Sequence, residues 1–143
     1  MTLLALIATP LKGDDMIDLL EMHDADVIYE FDRLHEGTPD GYRASLTDAG
    51  VEMVFDDAQQ LVTLFFYVLP CDGFAPVDPA QTGVPFHRSF GDAQAAFAAA
   101  GIPAVVPPSG QRWIKGDFGG HTVHYGFDDD GVLSRVTVEA RGA

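Results

Sequence analysis

The sequence predicts an α+β fold of two units, each a helix followed by an antiparallel hairpin, which together form one domain. An alanine-rich run between a serine and a glycine predicts a well-defined helix. Several other runs alternate apolar and polar residues with a period of two, which is typical of strands that bury one face. Residues 51–66 also match residues 123–138 at a constant offset of 72 residues, which indicates an internal repeat.

Composition narrows the class of protein. The chain has 143 residues, 47% of them hydrophobic and 21% charged, so we expect one globular domain over residues 1–143 and not a disordered chain. The net charge of −14 disfavours nucleic acid and anionic membrane surfaces as partners. The apolar opening, residues 3–8, is too short for a secretory signal or a membrane span. We therefore expect a soluble cytoplasmic protein.

The first unit is assigned to residues 1–70. Residues 14–22 place apolar side chains at helical spacing, and two carboxylates lie in the first turn, where the helix dipole favours them. Val27, Tyr29 and Phe31 alternate with the other residues of 27–32, which predicts a strand, with a continued helix as the alternative. A short strand and a hairpin complete the unit, with strands at 42–46, 51–55 and 61–69.

A stretch rich in proline and glycine separates the units. Residues 71–84 have no hydrophobic periodicity and are interpreted as a crossover loop. In the second unit, residues 85–143, Ser89 is placed to cap a helix over 91–100 that Gly101 ends. The remaining predicted elements are a strand and a hairpin, at 112–115, 121–127 and 132–139.

The internal repeat rests on the two hairpins. Five of sixteen compared positions are identical, against about one for a chance alignment. Any two amphipathic hairpins share their apolar spacing, and this alternative stays open. The identical positions in the first hairpin are Val51, Phe55, Asp56, Asp57 and Leu61. The predicted core contains Val51, Phe55, Leu64, Phe66, Phe97, Val123, Phe127 and Val136.

The sequence contains no motif that predicts a catalytic, metal or cofactor site. His121 and His124 are three apart on a predicted strand and so face opposite sides. Residues 128–139 lack the central ligand and glycine of a calcium-binding loop, and Asp-Gly within them is a common hairpin turn. Cys71, the single cysteine, cannot form an internal disulfide and has no basic neighbour in sequence that would activate its thiol. We expect no enzyme activity, no metal and no cofactor.

Negative charge is concentrated in the first unit. Residues 1–70 contain 14 acidic and 3 basic residues, and most of the excess lies in residues 14–36. Such a segment attracts a basic protein partner, although a surface that only aids solubility is the alternative. The candidate partner-binding residues are Asp14, Asp15, Asp18, Glu21, Asp24, Asp26 and Glu30, with Tyr42 and Trp113 as aromatic anchors beside them. For Trp113 a core position is the alternative.

Five segments carry a resemblance to a known class of protein. They are Gly-Val-Glu-Met-Val-Phe-Asp-Asp at 50–57, Val-Pro-Phe and Ser-Phe-Gly-Asp within 84–92, Gly-Ile-Pro at 101–103, Trp113, and Val-His-Tyr-Gly-Phe-Asp-Asp-Asp-Gly at 123–131. The chain thereby resembles small bacterial immunity proteins of polymorphic-toxin systems, and its halves are similar to the α+β units of the β-lactamase inhibitory protein and BamE superfamily. The resemblance implies stoichiometric binding of a cognate toxin, without catalytic residues. A small ligand-binding or enzymatic α+β domain is the alternative, and it would need a cavity lined by converging polar groups.

Overall fold

Strands form where apolar and polar residues alternate. The structure, a computed structural model, describes residues 2–31, 37 and 40–141. In that part of the chain the architecture is α+β and consists mostly of one antiparallel sheet. Its strands are β1 (Val27–Glu30), β2 (Gly41–Leu46), β3 (Val51–Phe55), β4 (Leu61–Tyr67), β5 (Ala104–Val105), β6 (Trp113–Asp117), β7 (His121–Phe127) and β8 (Leu133–Ala140). The sequence predicts all of these strands except β5.

The two longer helices, α1 (Asp14–Met22) and α3 (Phe90–Ala100), lie where the sequence predicts them. The cap of α3 forms as expected, because the Ser89 hydroxyl accepts the Asp92 N–H at 3.1 Å. Gly101 ends α3 with a φ of 69°. The other helical elements of the described residues are not predicted from the sequence. They are α2 (Pro79–Thr82) and two 3-10 turns, Leu3–Leu6 and Thr47–Ala49.

The strand order in the described sheet is β1-β2-β3-β4-β8-β7-β6-β5, so the two halves of the chain meet where β4 pairs with β8. We call β1–β4 the first half and β5–β8 the second half. The hairpins β3–β4 and β7–β8 carry the same bulge, because Phe55 pairs with Leu61 and Phe127 with Leu133. The two bulges lie 72 residues apart, which is the offset of the sequence repeat.

Alternation along the strands gives the sheet two unlike faces. One face packs against α1 through Met16 and Leu20, and against α3 through Phe90 and Phe97. The predicted core residues all lie in this packed layer, and each is at most 7% exposed. In the described part of the chain no helix lies on the opposite face, which we call the open face. A turn over residues 71–74 borders it, with the Phe74 ring 4.4 Å from that of Tyr67.

The predicted crossover loop contains more structure than its lack of periodicity indicates. It includes α2 and buries Val77 in the main core. The backbone N–H of Val77 donates to the Tyr67 carbonyl at 2.8 Å, and that of Ala75 donates to the Thr47 carbonyl at the same distance. Gly50, at a φ of 69°, lies so close beneath this loop that a Cβ would overlap the Ala75 carbonyl oxygen. These contacts join distant parts of the chain and therefore leave no periodic signal in the sequence.

Candidate partner-binding surfaces

Helix α1 separates its apolar and acidic side chains. Met16 and Leu20, four residues apart, are buried against the sheet. The exposed acidic side chains of the helix are Asp14, Asp15, Asp18 and Glu21. At the end of the helix, the His23 Nδ1 atom lies 3.0 Å from a carboxylate oxygen of Asp48, and this contact lowers the pKa of Asp48. The contact fixes the end of α1 to the turn that follows β2.

Exposed apolar side chains continue from the end of α1 into β1. Met22 is 76% exposed, Ile28 60% and Phe31 51%. Asp24 and Asp26, between the helix and the strand, are exposed as well. Apolar side chains surrounded by polar ones on a protein surface are typical of an interaction site. Ile28 and Glu30 alternate with Val27 and Tyr29 and face the open side of the sheet, because Ile28 pairs with Arg43 and Glu30 with Gly41. We call the other exposed side chains of residues 14–31 the α1–β1 surface.

A groove of about 390 Å³ runs between α1 and β1. Its lining includes the apolar side chains of Ile17, Leu20 and Val27 and the carboxylates of Glu21 and Asp24, with one cation, Lys12. An apolar side chain from a partner can fill such a groove while a neighbouring cation contacts the carboxylates. The groove therefore needs both α1 and β1, because each contributes part of its lining.

Polar contacts connect β1 to β2. The Tyr29 hydroxyl donates to an Asp40 carboxylate oxygen at 2.6 Å, and this hydrogen bond raises the pKa of Tyr29. Arg43 donates to Glu30 at 2.9 Å and to Glu52 at 2.6 Å. Glu30, a predicted partner-binding residue, is therefore already paired with a cation of the same chain.

The two aromatic candidates lie far apart. The Tyr42 ring is 5.1 Å from that of Tyr29, so Tyr42 borders the α1–β1 surface. Trp113 lies on β6, six strands from β1, which is about 29 Å at about 4.8 Å per strand. The prediction that Trp113 lies beside the acidic segment is wrong, because the order of the strands depends on pairing between distant residues. Trp113 also lies outside the buried core, half-buried on the open face and stacked on His124 at 5.3 Å.

A group of residues on the open face of the second half was not predicted from the sequence. Lys115 on β6 pairs with His124 on β7, and Arg135 on β8 lies in the neighbouring row, where it pairs with Gly126. Burial, with added repulsion from Arg135 and Lys115, lowers the pKa of His124. The signal that could have found this group is the period of two, because the residues between buried strand positions must face the other side. As predicted, His121 faces away from His124, with its ring stacked on Phe118 at 5.3 Å.

Cys71 lies at the end of this open-face group. Its side chain is exposed, and desolvation by its neighbours together with the charge of Asp72 raises the pKa of the thiol. Arg135 opposes this shift, which corrects the sequence-based expectation that no basic residue acts on the thiol. Because the net effect of these groups is a raised pKa, the thiol stays protonated at neutral pH and is a weak nucleophile.

A second groove, of about 540 Å³, lies where β4 ends and β8 begins. Leu69, Phe86 and Val132 line it together with His87 and Arg88. The His87 Nε2 atom is buried without a hydrogen-bond partner among the described residues, and burial lowers the pKa of this imidazole.

Neither a metal cluster nor a membrane span is found in the described residues. No group of three or more His, Cys, Asp or Glu side chains there is placed to hold a metal ion. None of the helices in the same residues is long and apolar enough to cross a membrane.

Comparison with known protein families, curated proteins and solved structures finds no match to this chain.

Proposed function

We propose that this protein is a non-catalytic binding protein, an immunity protein that neutralises a cognate basic toxin by stoichiometric binding. The observation that carries the proposal is the α1–β1 surface, which combines exposed carboxylates with exposed apolar side chains around a groove. The net charge of −14 adds long-range attraction for a basic protein.

The two kinds of side chain on this surface have different effects on binding. Carboxylates such as Asp18 and Glu21 raise the association rate with a basic partner. Apolar side chains such as Met22, Val27 and Phe31 slow dissociation, because removing their surface from water stabilises the complex by about 25 cal/mol per Å² of apolar area buried. A surface that served only solubility would gain nothing from these exposed apolar groups, so their presence favours docking.

We also propose that the chain consists of two equivalent helix-plus-hairpin units. Both longer helices pack on the same face of the sheet, and both hairpins carry the same bulge at an offset of 72 residues. This arrangement supports the resemblance to proteins with tandem α+β units, and through it the immunity function.

The test uses the product of the neighbouring gene, which we expect to be a basic toxin domain. The variant changes Asp14, Asp15, Asp18 and Glu21 to Asn or Gln. Stopped-flow association is measured at low and moderate salt. We expect a complex of equal stoichiometry, slower association of the variant and a shallower dependence on salt, because the removed charges no longer attract the partner.

A matched control neutralises four exposed aspartates outside the surface, namely Asp57, Asp72, Asp129 and Asp130. It has the same net charge as the test variant and should associate faster. Equal rates for the two variants would show that only total charge matters. An unchanged rate in the test variant would exclude the α1–β1 surface as the contact.

A further inference from the structure

Strand β1 forms one edge of the sheet. In the part of the chain that the structure describes, β2 pairs with one side of β1, and no strand pairs with the other side. All four residues of β1 are exposed. A strand edge of this kind presents backbone N–H and C=O groups that can pair with a further strand.

A hydrogen bond two strands away shows how the backbone groups of β1 are directed. The Tyr67 N–H donates to the Gly50 carbonyl at 2.9 Å, so that carbonyl points to β4. The Val51 N–H belongs to the same trans peptide plane and points the other way, to β2. Backbone groups alternate in direction along a strand, so those of Met53, two residues on, also point to β2. Its partner there, Ala44, therefore directs its own backbone groups to β3.

The same alternation identifies the free backbone groups of β1. Arg43, the residue before Ala44, directs its backbone groups to β1, where it pairs with Ile28. The N–H and C=O groups of Ile28 are therefore used within the sheet, whereas those of Val27 and Tyr29 point away from it. No backbone hydrogen bond among the described residues uses these outward groups. Free groups of this kind bind an added strand through main-chain hydrogen bonds.

The opposite edge of the sheet differs from β1. Strand β5 has only two residues, with Pro103 before it and Pro107 and Pro108 shortly after it. Proline has no N–H to donate, and short strands and prolines protect a sheet edge from pairing. The sequence has no proline between Pro10 and Pro39, so β1 lacks this protection.

The charges and side chains around β1 indicate what kind of strand it binds. Asp24 and Asp26 are exposed and have no cation within 4.0 Å among the described residues. Directly after them, β1 exposes Val27 on the helix-covered face and Ile28 on the open face. An added strand that is apolar in its middle and basic at its ends complements both features. A second copy of this chain would instead bring like charges together, since each copy has a net charge of −14.

We propose that β1 binds an extended, basic segment of a partner protein as an additional strand of the sheet. The outward backbone groups of Val27 and Tyr29 bond to the segment. Its side chains alternate between the open face and the groove of about 390 Å³ between α1 and β1, where Glu21 and Asp24 can contact a cation. The proposal deepens the proposed function and rests on it only for the source of the segment, which is the toxin.

The first probe is a synthetic peptide, so that the result does not depend on a toxin. Valine and threonine alternate in the middle of the peptide, and lysines lie at both ends. The matched control peptide has the same residues, but every central amide nitrogen is methylated, which removes the hydrogen-bond donors and keeps the charge. We expect saturable binding of the first peptide to the full chain and at least about tenfold weaker binding of the methylated one, because the main-chain hydrogen bonds are lost.

Hydrogen exchange of single amides, followed by NMR, locates the bound peptide. The amides of Val27 and Tyr29 should exchange at least about tenfold more slowly in the complex, because each then donates a hydrogen bond. The amide of Ile28 is already bonded to β2 and should change less. Docking through side chains alone would not produce this alternation. The same measurement is repeated with the product of the neighbouring gene.

A variant of the edge itself provides a second test. Val27→Pro removes an outward N–H, and proline is tolerated at the first residue of an edge strand. The affinity for the peptide should fall about tenfold, and thermal unfolding checks that the variant folds. Val27→Thr is the matched control, since it keeps the N–H and the branched shape of the side chain. Its affinity should stay within about threefold of that of the natural protein.

Several results would overturn the proposal. They are equal binding of the methylated peptide, slowing of exchange at Ile28 as large as at Val27 and Tyr29, and no saturable binding at millimolar peptide. Self-association of the protein through β1, measured by sedimentation, would show that the edge binds a second copy instead. A toxin complex in which the exchange of Val27 and Tyr29 is unchanged would exclude strand addition and leave the proposed function intact. Peptide binding without any toxin complex would contradict the proposed function alone.

Discussion

On the open face of the first half, Arg43 on β2 lies between Glu30 on β1 and Glu52 on β3, at 2.9 and 2.6 Å. On the open face of the second half, Lys115 and Arg135 have no carboxylate within 4.0 Å among the described residues. The backbone beneath is alike, since both hairpins carry the same bulge. The difference shows that side chains on similar backbones can form an ion-pair network in one region and leave two cations without an ion-pair partner among the described residues in the other.

The helix-covered faces of the two halves also differ. Val51 pairs with Leu46 in the first half, and Val123, at the repeat offset of 72, pairs with Gly116 in the second. Gly116 lies directly beneath α3, where a Cβ would be 2.9 Å from the Phe97 ring. In the second half, the Phe97 ring of α3 thus occupies the space above Gly116. In the first half, the side chain of the strand residue Leu46 fills the corresponding space. Equivalent backbones can therefore be packed by different elements.

The largest expected effect tests whether the two hairpins are equally important for stability. Phe55 and Phe127 occupy the same bulge position, and they are 0% and 7% exposed. Phe55→Ala and Phe127→Ala should each cost about 3 to 5 kcal/mol in unfolding free energy, with Phe55→Ala at the upper end. Urea denaturation measures both. A cost below about 1 kcal/mol for either variant would show that its hairpin is not part of the cooperative core.

A smaller effect concerns a contact that only the first half makes. Gly50 has a positive φ beneath the loop at Ala75, whereas position 122, at the repeat offset, is Thr122 on β7. Gly50→Ala should cost about 2 to 4 kcal/mol through backbone strain and overlap with the loop. Thr122→Ala, the matched control, should change stability by less than about 0.5 kcal/mol. Equal effects in thermal unfolding would mean that the loop does not pack tightly on the first half.

The smallest expected effect is a loss of folding stability at acidic pH, caused by three histidines that follow β4 in the chain. Burial lowers the pKa of His87, His121 and His124 below the ordinary value of 6.5. Between each lowered pKa and 6.5 the unfolded chain binds more protons than the folded one, so stability falls as the pH falls. Urea denaturation at about pH 7.5 and about pH 5.5 should therefore show lower stability at the acidic value.

The variant His124→Gln should lose less stability over the same pH range, because one neutral imidazole no longer has to take up a proton on unfolding. The effect is modest, since each ring keeps part of its contact with water. If the unfolding free energy of His124→Gln decreased as much between the two pH values as that of the natural protein, His124 would not contribute to the pH dependence of stability.

Most of the elements could be predicted because their signals are local. The Ser89 cap and Gly101 mark the ends of α3 within a few residues of the chain, and period-two runs mark the strands. The loop that buries Val77, and the separation of Trp113 from the acidic segment, could not be predicted. Both depend on residues that meet only after the chain has folded.

The sequence by itself determined where α1 and α3 lie, which residues face the core and where negative charge collects. These properties follow from neighbouring residues through helix caps, alternation and charge counts. Only the tertiary structure decided that β4 pairs with β8, because strand order depends on contacts between residues far apart in sequence. That pairing joins the two halves in one sheet, with Arg43 and its carboxylates on the first half and Trp113, His124 and Arg135 on the second.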